Sequence, residues 1–211
     1  MIPVAALVLP LSGCDGMFHG IYDEPSAEVG KQYGFVSTDI VTNTGTIYID
    51  ATDYTQWHYI DLDGKVVTST AIDTVLAPAE WDFALHRYDA KTNGGAVVET
   101  EAVDFESLPQ LSSIPNDQFV PDEWTTDRII VDMSQMMDGV INYASDYYNS
   151  ELSLWLDVDK SVMPPVYTLS GRVYILRLRD GRYAALRLTN FMSDAAVKGF
   201  MTIEYKYPLG L

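Results

Sequence analysis

The chain has 211 residues, enough for one sizeable hydrophobic core, and no Pro/Gly/Ser-rich linker divides it into parts of different composition. Hydrophobic residues make up 47% of the chain and aromatic residues 12%, which excludes an intrinsically disordered protein. Lys and Arg number 13 against 30 Asp and Glu. The resulting formal charge of -17 would repel phosphate backbones, so nucleic acid is not an expected partner.

The N-terminus carries a targeting signal. Residues 1–13, MIPVAALVLPLSG, form an apolar run that is too short to span a bilayer and that stops at Cys14. The sequence LSGC at 11–14 matches a bacterial lipobox, in which small residues admit the signal peptidase and the cysteine thiol takes a lipid. A buried free thiol near the terminus is the competing interpretation. We expect 1–14 to be a lipoprotein signal segment and Cys14 to be the lipidation site.

Lipidation would tether the protein to the outer membrane or the cell surface without spanning it, and a released extracellular form is also compatible with such an anchor. Residues 15–32 are rich in Gly, Asp, Glu, Pro and Ser, which is typical of a flexible tether. The folded domain is expected over 33–211. No cysteine other than Cys14 occurs, so neither a disulfide nor a Cys-ligated zinc or iron–sulfur site is expected.

Short runs rich in Val, Ile, Thr, Tyr and Trp alternate with turn dipeptides along the domain, namely IYIDATDY, WHYIDLDGKVVTS, WDFALHRYD, RVYILRLRDGRYAALRL and FMTIEYKYP. The pairs Asp63-Gly64 and Asp180-Gly181 stand between such runs and favour tight hairpins with type I′ turns. The sequence therefore predicts an all-β fold of mostly antiparallel strands.

The run near the C-terminus has the clearest period of two, since one face would carry Met201, Ile203, Tyr205 and Tyr207. We expect that face in the core. A few short helices complete the prediction: one turn at 104–108, a segment from Ser134 toward Tyr147, and a turn near 193–197.

Catalytic motifs are not found. His19 lies in the tether, while His58 and His86 lie inside strand-like runs, where a lone histidine is more often a packed side chain than a metal ligand. Neither a nucleophile elbow nor a zinc-protease motif is present, so we do not expect an enzyme. The stretch DLDGK at 61–65 starts like a calcium loop but lacks its later acidic ligands, and a hairpin turn is the better interpretation.

Methionines are concentrated in DMSQMMDG, residues 132–139, which contains Met133, Met136 and Met137. A fourth, Met163, precedes Pro164-Pro165, which favours an extended loop. Thioether sulfur is a soft, neutral ligand suited to haem iron or Cu(I). Two such sulfurs from two loops could hold a flat macrocycle between them, but flexible core filling would explain the same methionines.

The domain resembles the HmuY family of haem-binding surface lipoproteins. The stretch WDFALHRYDAKTNGG at 81–95 carries the most specific part of the resemblance, together with MPPVYTLSGRVYILRLRDGRYAALRL and VKGFMTIEYKYPL toward the C-terminus. The likeness extends from about Tyr33 to the end. It implies a single all-β, HmuY-like domain that grips one haem b between loops, with two axial side chains on the iron.

The resemblance also implies which residues hold the iron. No histidine follows His86, and methionines occupy the region where the family places its ligands. Carried over residue by residue, one axial ligand falls on Met163 and the other on Met136, with Met137 as the alternative to Met136 and Met133 third. His86 becomes a structural strand residue. Tyr143, Tyr147 and Tyr148 are candidates for the pocket lining.

The implied function is that of a haemophore, which takes haem from host haemoproteins and passes it to a TonB-dependent haem receptor of the outer membrane. Whether chains form a homo-oligomer around haem is left open. The alternative hypothesis is a surface lipoprotein of the same fold that has lost haem binding and binds another ligand or a protein.

Overall fold

The computed structural model describes residues 31–72, 77–162 and 164–210. Cys14, the predicted signal segment 1–14, His19, Met163 and most of the predicted tether lie outside the described residues. In chain order the described strands are β1 (Gly34–Asp39), β2 (Thr44–Asp50), β3 (Gln56–Asp61), β4 (Val66–Ala71), β5 (Phe83–His86), β6 (Asp89–Thr92), β7 (Ala96–Glu99), β8 (Val120–Pro121), β9 (Glu123–Asp132), β10 (Asn142–Tyr148), β11 (Leu156–Asp159), β12 (Val166–Leu169), β13 (Tyr174–Arg177), β14 (Tyr183–Met192) and β15 (Lys198–Lys206).

These strands form two sheets and two separate hairpins, and every described pair is antiparallel. The larger sheet has seven strands in the order β1-β2-β15-β14-β13-β7-β8, and the smaller has four in the order β4-β3-β5-β6. Strands β9 and β10 pair only with each other, as do β11 and β12. The predicted all-β, antiparallel fold is therefore confirmed.

The main core lies between the two sheets. Its buried side chains come from the larger sheet, such as Ile47, Leu186 and Ile203, and from the smaller sheet, such as Ile60 and Phe83. The predicted inward face of the last strand is confirmed, because Met201, Ile203, Tyr205 and Tyr207 are all buried while the residues between them are half-buried. Alternation along a strand thus identifies the face that packs against the opposite sheet.

A second core forms on the other face of the smaller sheet. Trp57 and Tyr59 of β3 and Ala84 of β5 pack there against Ile129 of β9. The partly buried Ala144 and Tyr148 of β10 join the same cluster. The β9–β10 hairpin is consequently fixed along its base, although it adds no strand to either sheet.

The predicted helix from Ser134 toward Tyr147 is wrong. Only a 3-10 helix, Met136–Asp138, is present, and it ends at Gly139, whose φ is 78°. The chain then enters β10, where the residues pair with β9 instead of forming a helix. β-Branched Val140 and Ile141 disfavour a helix after the glycine, and cross-strand pairing decides the outcome.

The remaining helical elements of the described chain are 3-10 helices, and none of its residues are α-helical. They span Leu111–Ser113, Asn116–Gln118 and Leu152–Trp155. The turn expected at 104–108 is a bend in which Asp104 Oδ1 accepts a hydrogen bond from the Ser107 amide over 2.7 Å. The predicted turn at 193–197 is confirmed by a 2.9 Å bond from the Ala196 amide to the Ser193 carbonyl.

Both Asp-Gly pairs do connect antiparallel strands, but neither forms the predicted type I′ turn. In the first, the positive φ lies at Lys65 rather than at Asp63 and Gly64, and in the second it occurs only at Gly181. The connections are longer than two residues, because β4 begins only at Val66 and β14 only at Tyr183. Asp61 Oδ1 accepts a hydrogen bond from the Gly64 amide, so DLDGK is a hairpin turn, as the sequence predicts.

Candidate functional site

The segments that carry the candidate methionines close the two isolated hairpins. Met133, Met136 and Met137 lie between β9 and β10, and the Met163 position lies between β11 and β12. Two backbone hydrogen bonds shape the tip of the β9–β10 hairpin, which we call the first tip. The Met136 amide donates to the Met133 carbonyl, and the Gly139 amide donates to the Met136 carbonyl. In chain order, each methionine segment thus belongs to the connection of a different hairpin outside both sheets.

The three methionines between β9 and β10 differ in their surroundings. Met137 is 81% exposed, whereas Met133 and Met136 are both half-buried. Met133 lines a groove of about 970 Å³ that also includes Tyr48 of β2 and His58 of β3. The first tip therefore presents its methionines to different environments.

Both hairpins meet at one turn of the smaller sheet. Strands β5 and β6 are joined by Arg87 and Tyr88, because His86 pairs with Asp89. Tyr88 contacts Tyr167 of β12, with their ring centres 6.2 Å apart, while Asp89 Oδ1 lies 3.7 Å from Arg128 Nη2 of β9. We call residues 87–89 the shared turn, and the candidate site lies around it.

Tyrosine side chains surround the shared turn. Tyr88 is largely buried, and burial raises the pKa of its phenol, with further contributions from the neighbouring Asp89, Tyr54 and Tyr167. The ring of Tyr167 stacks on Phe191 with a centre separation of 5.6 Å. We call Tyr54, Tyr88 and Tyr167 the tyrosine floor. The rings of Tyr88 and Tyr167 are nearly perpendicular, at 78°, so the tyrosine floor offers aromatic faces and edges together with hydroxyl groups.

Arg87 fixes the shared turn to the rest of the fold. It is buried at a φ of 56°, and its Nη1 donates to the carbonyls of Lys198 (3.2 Å) and Thr52 (3.5 Å). Its guanidinium lies 4.6 Å from the centre of the Tyr54 ring. Gly199, at a φ of 103°, leaves the space for this guanidinium, since a Cβ there would collide with it.

Asp89 is a buried carboxyl group between the hairpins. Burial raises its pKa to about 6, and the positive charges of Arg128 and Lys160 oppose that rise. Arg128 belongs to β9, and Lys160 directly follows β11. One carboxyl group of the smaller sheet therefore faces a cation from each hairpin.

A second ion pair fixes the base of the β9–β10 hairpin. Lys91 of β6 lies 2.8 Å from Asp146 of β10, and its ammonium is 4.1 Å from the centre of the Trp57 ring. Nearby, Asp122 accepts bonds from Thr92 and from the amide of Asn149. The sequence reasoning missed these residues as determinants of the site. The only available signal was that Lys91 and Thr92 belong to WDFALHRYDAKTNGG, the most family-specific stretch.

The candidate tyrosines of β10 are distributed over two faces. Tyr148 lies under the Arg128 guanidinium at 5.1 Å, on the side of the shared turn. Tyr147 is 53% exposed and contacts Trp124, with ring centres 5.1 Å apart. Tyr143 is 39% exposed. Of the three, Tyr148 is the one that the described contacts place beside the site.

The two described histidines are packed strand residues. Nδ1 of His58 shares a hydrogen bond with Ser69, and Nε2 of His86 lies 2.9 Å from the Tyr54 carbonyl. Burial lowers the pKa of each to about 4, so both are neutral at pH 7. Within residues 31–72, 77–162 and 164–210, no three His, Cys, Asp or Glu side chains converge as a metal site. No helix in the same ranges is long and apolar enough to cross a membrane.

The sequence profile of the HmuY protein family matches residues 53–205, which include the shared turn and both hairpins. The chain belongs to the HmuY family. A HmuY structure from Bacteroides vulgatus, described as HmuY-like and heme binding, is 54% identical with a TM-score of 0.79, and the alignment covers 85% of this chain and 100% of that one. No functionally curated protein is similar enough to the chain to count as a relative.

Two further solved structures extend this comparison. A structure described as a lipoprotein from Bacteroides fragilis is 45% identical with a TM-score of 0.81, over 87% of this chain and 100% of that chain. The apo HmuY analog of Tannerella forsythia is 24% identical with a TM-score of 0.62, over 79% of this chain and 97% of that chain, and this likeness shows the fold alone. The HmuY fold supports a role in haem binding.

Proposed function

We propose that this protein binds haem b between the tips of its two isolated hairpins. The observation that carries the proposal is that the methionine segments close two different hairpins, both of which contact the shared turn at Tyr88 and Asp89. A planar ligand held between two tips needs one ligand atom from each side. The hairpins provide a separate methionine segment for each side of the iron.

In this proposal Met163 supplies one axial ligand from the connection of the β11–β12 hairpin, which we call the second tip. Met136 supplies the other axial ligand from the first tip. Met136 is half-buried, whereas Met137 is 81% exposed. A sulfur on iron must lie close to a covered ligand face, which favours Met136 over Met137. Met133 is also half-buried, and it lines the groove beside His58, so it stays the third candidate. Met137 remains the alternative first ligand.

The donor set fits haem. Thioether sulfur binds iron without losing a proton, and the tyrosine floor offers aromatic surface beside the two tips. His86 does not replace a methionine in this proposal, because it is buried within the smaller sheet. Haem itself supplies the iron and the coloured, redox-active macrocycle, while this chain supplies two sulfurs and an apolar surface.

We further propose that the protein is a haemophore rather than an enzyme. Lipidation at Cys14 would attach it to the outer membrane or the cell surface, where it takes haem from host haemoproteins and passes it to a TonB-dependent receptor. The similarity to a relative described as a lipoprotein supports the lipid anchor. Two hairpins outside the sheets support release as well as capture, since the tips can separate without breaking a sheet.

The test is a haem titration of the purified full chain, followed by absorbance with and without dithionite. Met163→Ala and Met136→Ala should each lose the low-spin ferrous spectrum. Because outer-shell changes alone cost about 10- to 100-fold in metal affinity, loss of an axial sulfur should weaken binding at least that much. Met133→Ala is the matched control and should keep the parent spectrum.

Loss of the spectrum in Met137→Ala but not in Met136→Ala would assign the first ligand to Met137. An unchanged spectrum in Met163→Ala would contradict ligation by that residue. If the parent chain shows no saturable spectral change, haem binding is refuted, and a surface lipoprotein of the same fold with a different ligand becomes the better description.

A further inference from the structure

Cationic side chains lie near the shared turn of a strongly acidic chain. The formal net charge is -17, so the average field of the protein repels anions. Three cationic side chains nevertheless gather near the turn, namely Arg128, Lys160 and Lys198. Asp89 is the carboxyl group that faces the first two of them. Exposed cations beside the proposed haem site suit a ligand with negative groups.

Arg128 is held in place but keeps donor capacity. Its Nη2 lies 3.7 Å from Asp89 Oδ1, which is too long for a hydrogen bond, and its guanidinium lies 5.1 Å from the centre of the Tyr148 ring. The side chain is 51% exposed. A guanidinium carries five N–H donors in a planar fork, so Arg128 can bind a carboxylate on its exposed side.

The other cations lie on different elements of the site. Lys160 follows β11 at the second hairpin, is exposed, and acts on the charge of Asp89. Lys198 begins β15, and its ammonium is 4.2 Å from the centre of the Tyr167 ring in the tyrosine floor. The one ion pair described for these cations is the loose contact of 3.7 Å between Arg128 and Asp89. Carboxylates of a ligand would give the exposed cations closer partners.

We infer that Arg128 and Lys160 bind the two propionate carboxylates of the macrocycle, one from each hairpin, and that Asp89 holds both cations beside the site. This inference rests on the proposed haem binding and deepens it by naming the residues that select a dicarboxylate ligand. Arg128 and Lys160 are specificity residues, because neutral methionine sulfurs and tyrosine rings do not distinguish a free acid from its ester. Asp89 is a positioning residue, since it acts through the two cations.

The experiment compares haem with haem dimethyl ester, whose propionates carry no charge, in the same dilute detergent. Dissociation constants are measured by absorbance for the parent chain, Arg128→Gln, Lys160→Gln and the double variant. Arg179→Gln and Lys206→Gln are matched controls at positions away from the shared turn. The affinity for the ester reports in every variant whether the macrocycle site is intact, so a folding defect is not mistaken for a lost carboxylate contact.

We expect the parent to prefer haem over its ester by on the order of tenfold or more, with a preference that weakens at high salt. The double variant should lose most of that preference while its affinity for the ester stays unchanged, and the controls should behave like the parent. Equal affinities of the parent for haem and ester would overturn the inference and leave haem binding intact. Failure to bind either compound would overturn both proposals.

Discussion

Lys91 and Asp146 form an ion pair of 2.8 Å that joins the smaller sheet to the base of the β9–β10 hairpin. The Lys91 side chain is 9% exposed, and aromatic rings of Trp57 and Tyr59 lie within 5.2 Å of its ammonium. The pair connects β6, which follows the shared turn, to the strand that leads away from the methionine tip. Its loss should affect both stability and ligand binding.

Lys91→Met should leave the largely buried carboxylate of Asp146 without its cation, at a cost of roughly 3–5 kcal/mol in the free energy of unfolding. Chemical denaturation with urea measures the cost. Lys206→Met on β15 is the matched control and should cost less than about 1 kcal/mol. Lys91→Met combined with Asp146→Leu should recover much of the loss, because both charges are then absent. A single variant as stable as the control would show that the pair does not stabilise the hairpin.

Gly199→Ala should be strongly destabilising, because the new Cβ collides with the Arg87 guanidinium and the φ of 103° already disfavours a side chain. Gly171→Ala is a matched control, since its φ of 66° is also positive but no atom lies within 4 Å of the new Cβ. We expect about 1 kcal/mol for Gly171→Ala and several times more for Gly199→Ala. Thermal melting of the two variants measures the difference. Equal losses would mean that the guanidinium moves aside freely.

Asp89→Asn should stabilise the protein at pH 7. Burial raises the Asp89 pKa from 3.8 to about 6, so the folded state binds a proton more tightly than the unfolded state does. The charged carboxylate therefore costs stability above pH 6, on the order of 2–3 kcal/mol, and this cost disappears as the pH falls through 6 toward 4. Urea unfolding at pH 7 and pH 4 should show an advantage for the variant that shrinks on acidification. A variant less stable than the parent at pH 7 would contradict this account.

The buried histidines should have the opposite effect in mild acid. The pKa values of His58 and His86 fall from 6.5 to about 4 on folding, so the unfolded chain binds more protons than the folded chain between those values. The contribution of the two neutral histidines to the free energy of unfolding is complete above pH 6.5, and it is lost as the pH decreases toward 4. The two histidines outweigh the opposing contribution of Asp89 together with the smaller ones of Asp82 and Asp122, whose pKa values burial also raises. Denaturation curves of the parent should therefore show decreasing stability from pH 6.5 to pH 5, and a flat or increasing profile would be inconsistent with neutral buried imidazoles.

Ferrous haem should bind more tightly than ferric haem, because neutral thioether sulfur prefers the softer ion. Titrations under anaerobic conditions, with dithionite for the ferrous form, give the two dissociation constants. Met163→Ala should weaken the binding of ferrous haem more than that of ferric haem, so the two dissociation constants should become more similar. Ferric affinity equal to or above the ferrous affinity in the parent would contradict ligation by two methionines.

The strands could be predicted from the sequence because their evidence is local. Residues such as Met201, Ile203 and Tyr205 alternate with polar ones, and this pattern requires a strand with one buried face. The helix predicted after Ser134 is wrong, because the strand β10 in that segment depends on pairing with β9, which is a contact between separate parts of the chain. The secondary-structure propensity of a few neighbouring residues carries no information about that contact.

The candidate site was predictable only in part for the same reason. Methionines at 136 and 163 stand out by their chemistry and by the resemblance to the family. Asp89 and Arg128 are separated by 39 positions (128 − 89), and nothing in either local sequence indicates that they meet. The shared turn itself depends on Arg87, whose buried guanidinium uses carbonyls of two distant segments. Such convergence is a property of the folded chain.

The isolation of the two hairpins from both sheets has a consequence for how this protein can change over time. The hydrogen-bond ladders that hold the sheets together do not pass through either tip, so residues at the tips carry little of the folding free energy. In the proposed haem site, substitutions there would exchange one iron ligand for another while the scaffold remains intact. Ligand chemistry and fold stability are thereby separate traits in this architecture, each open to selection without much effect on the other.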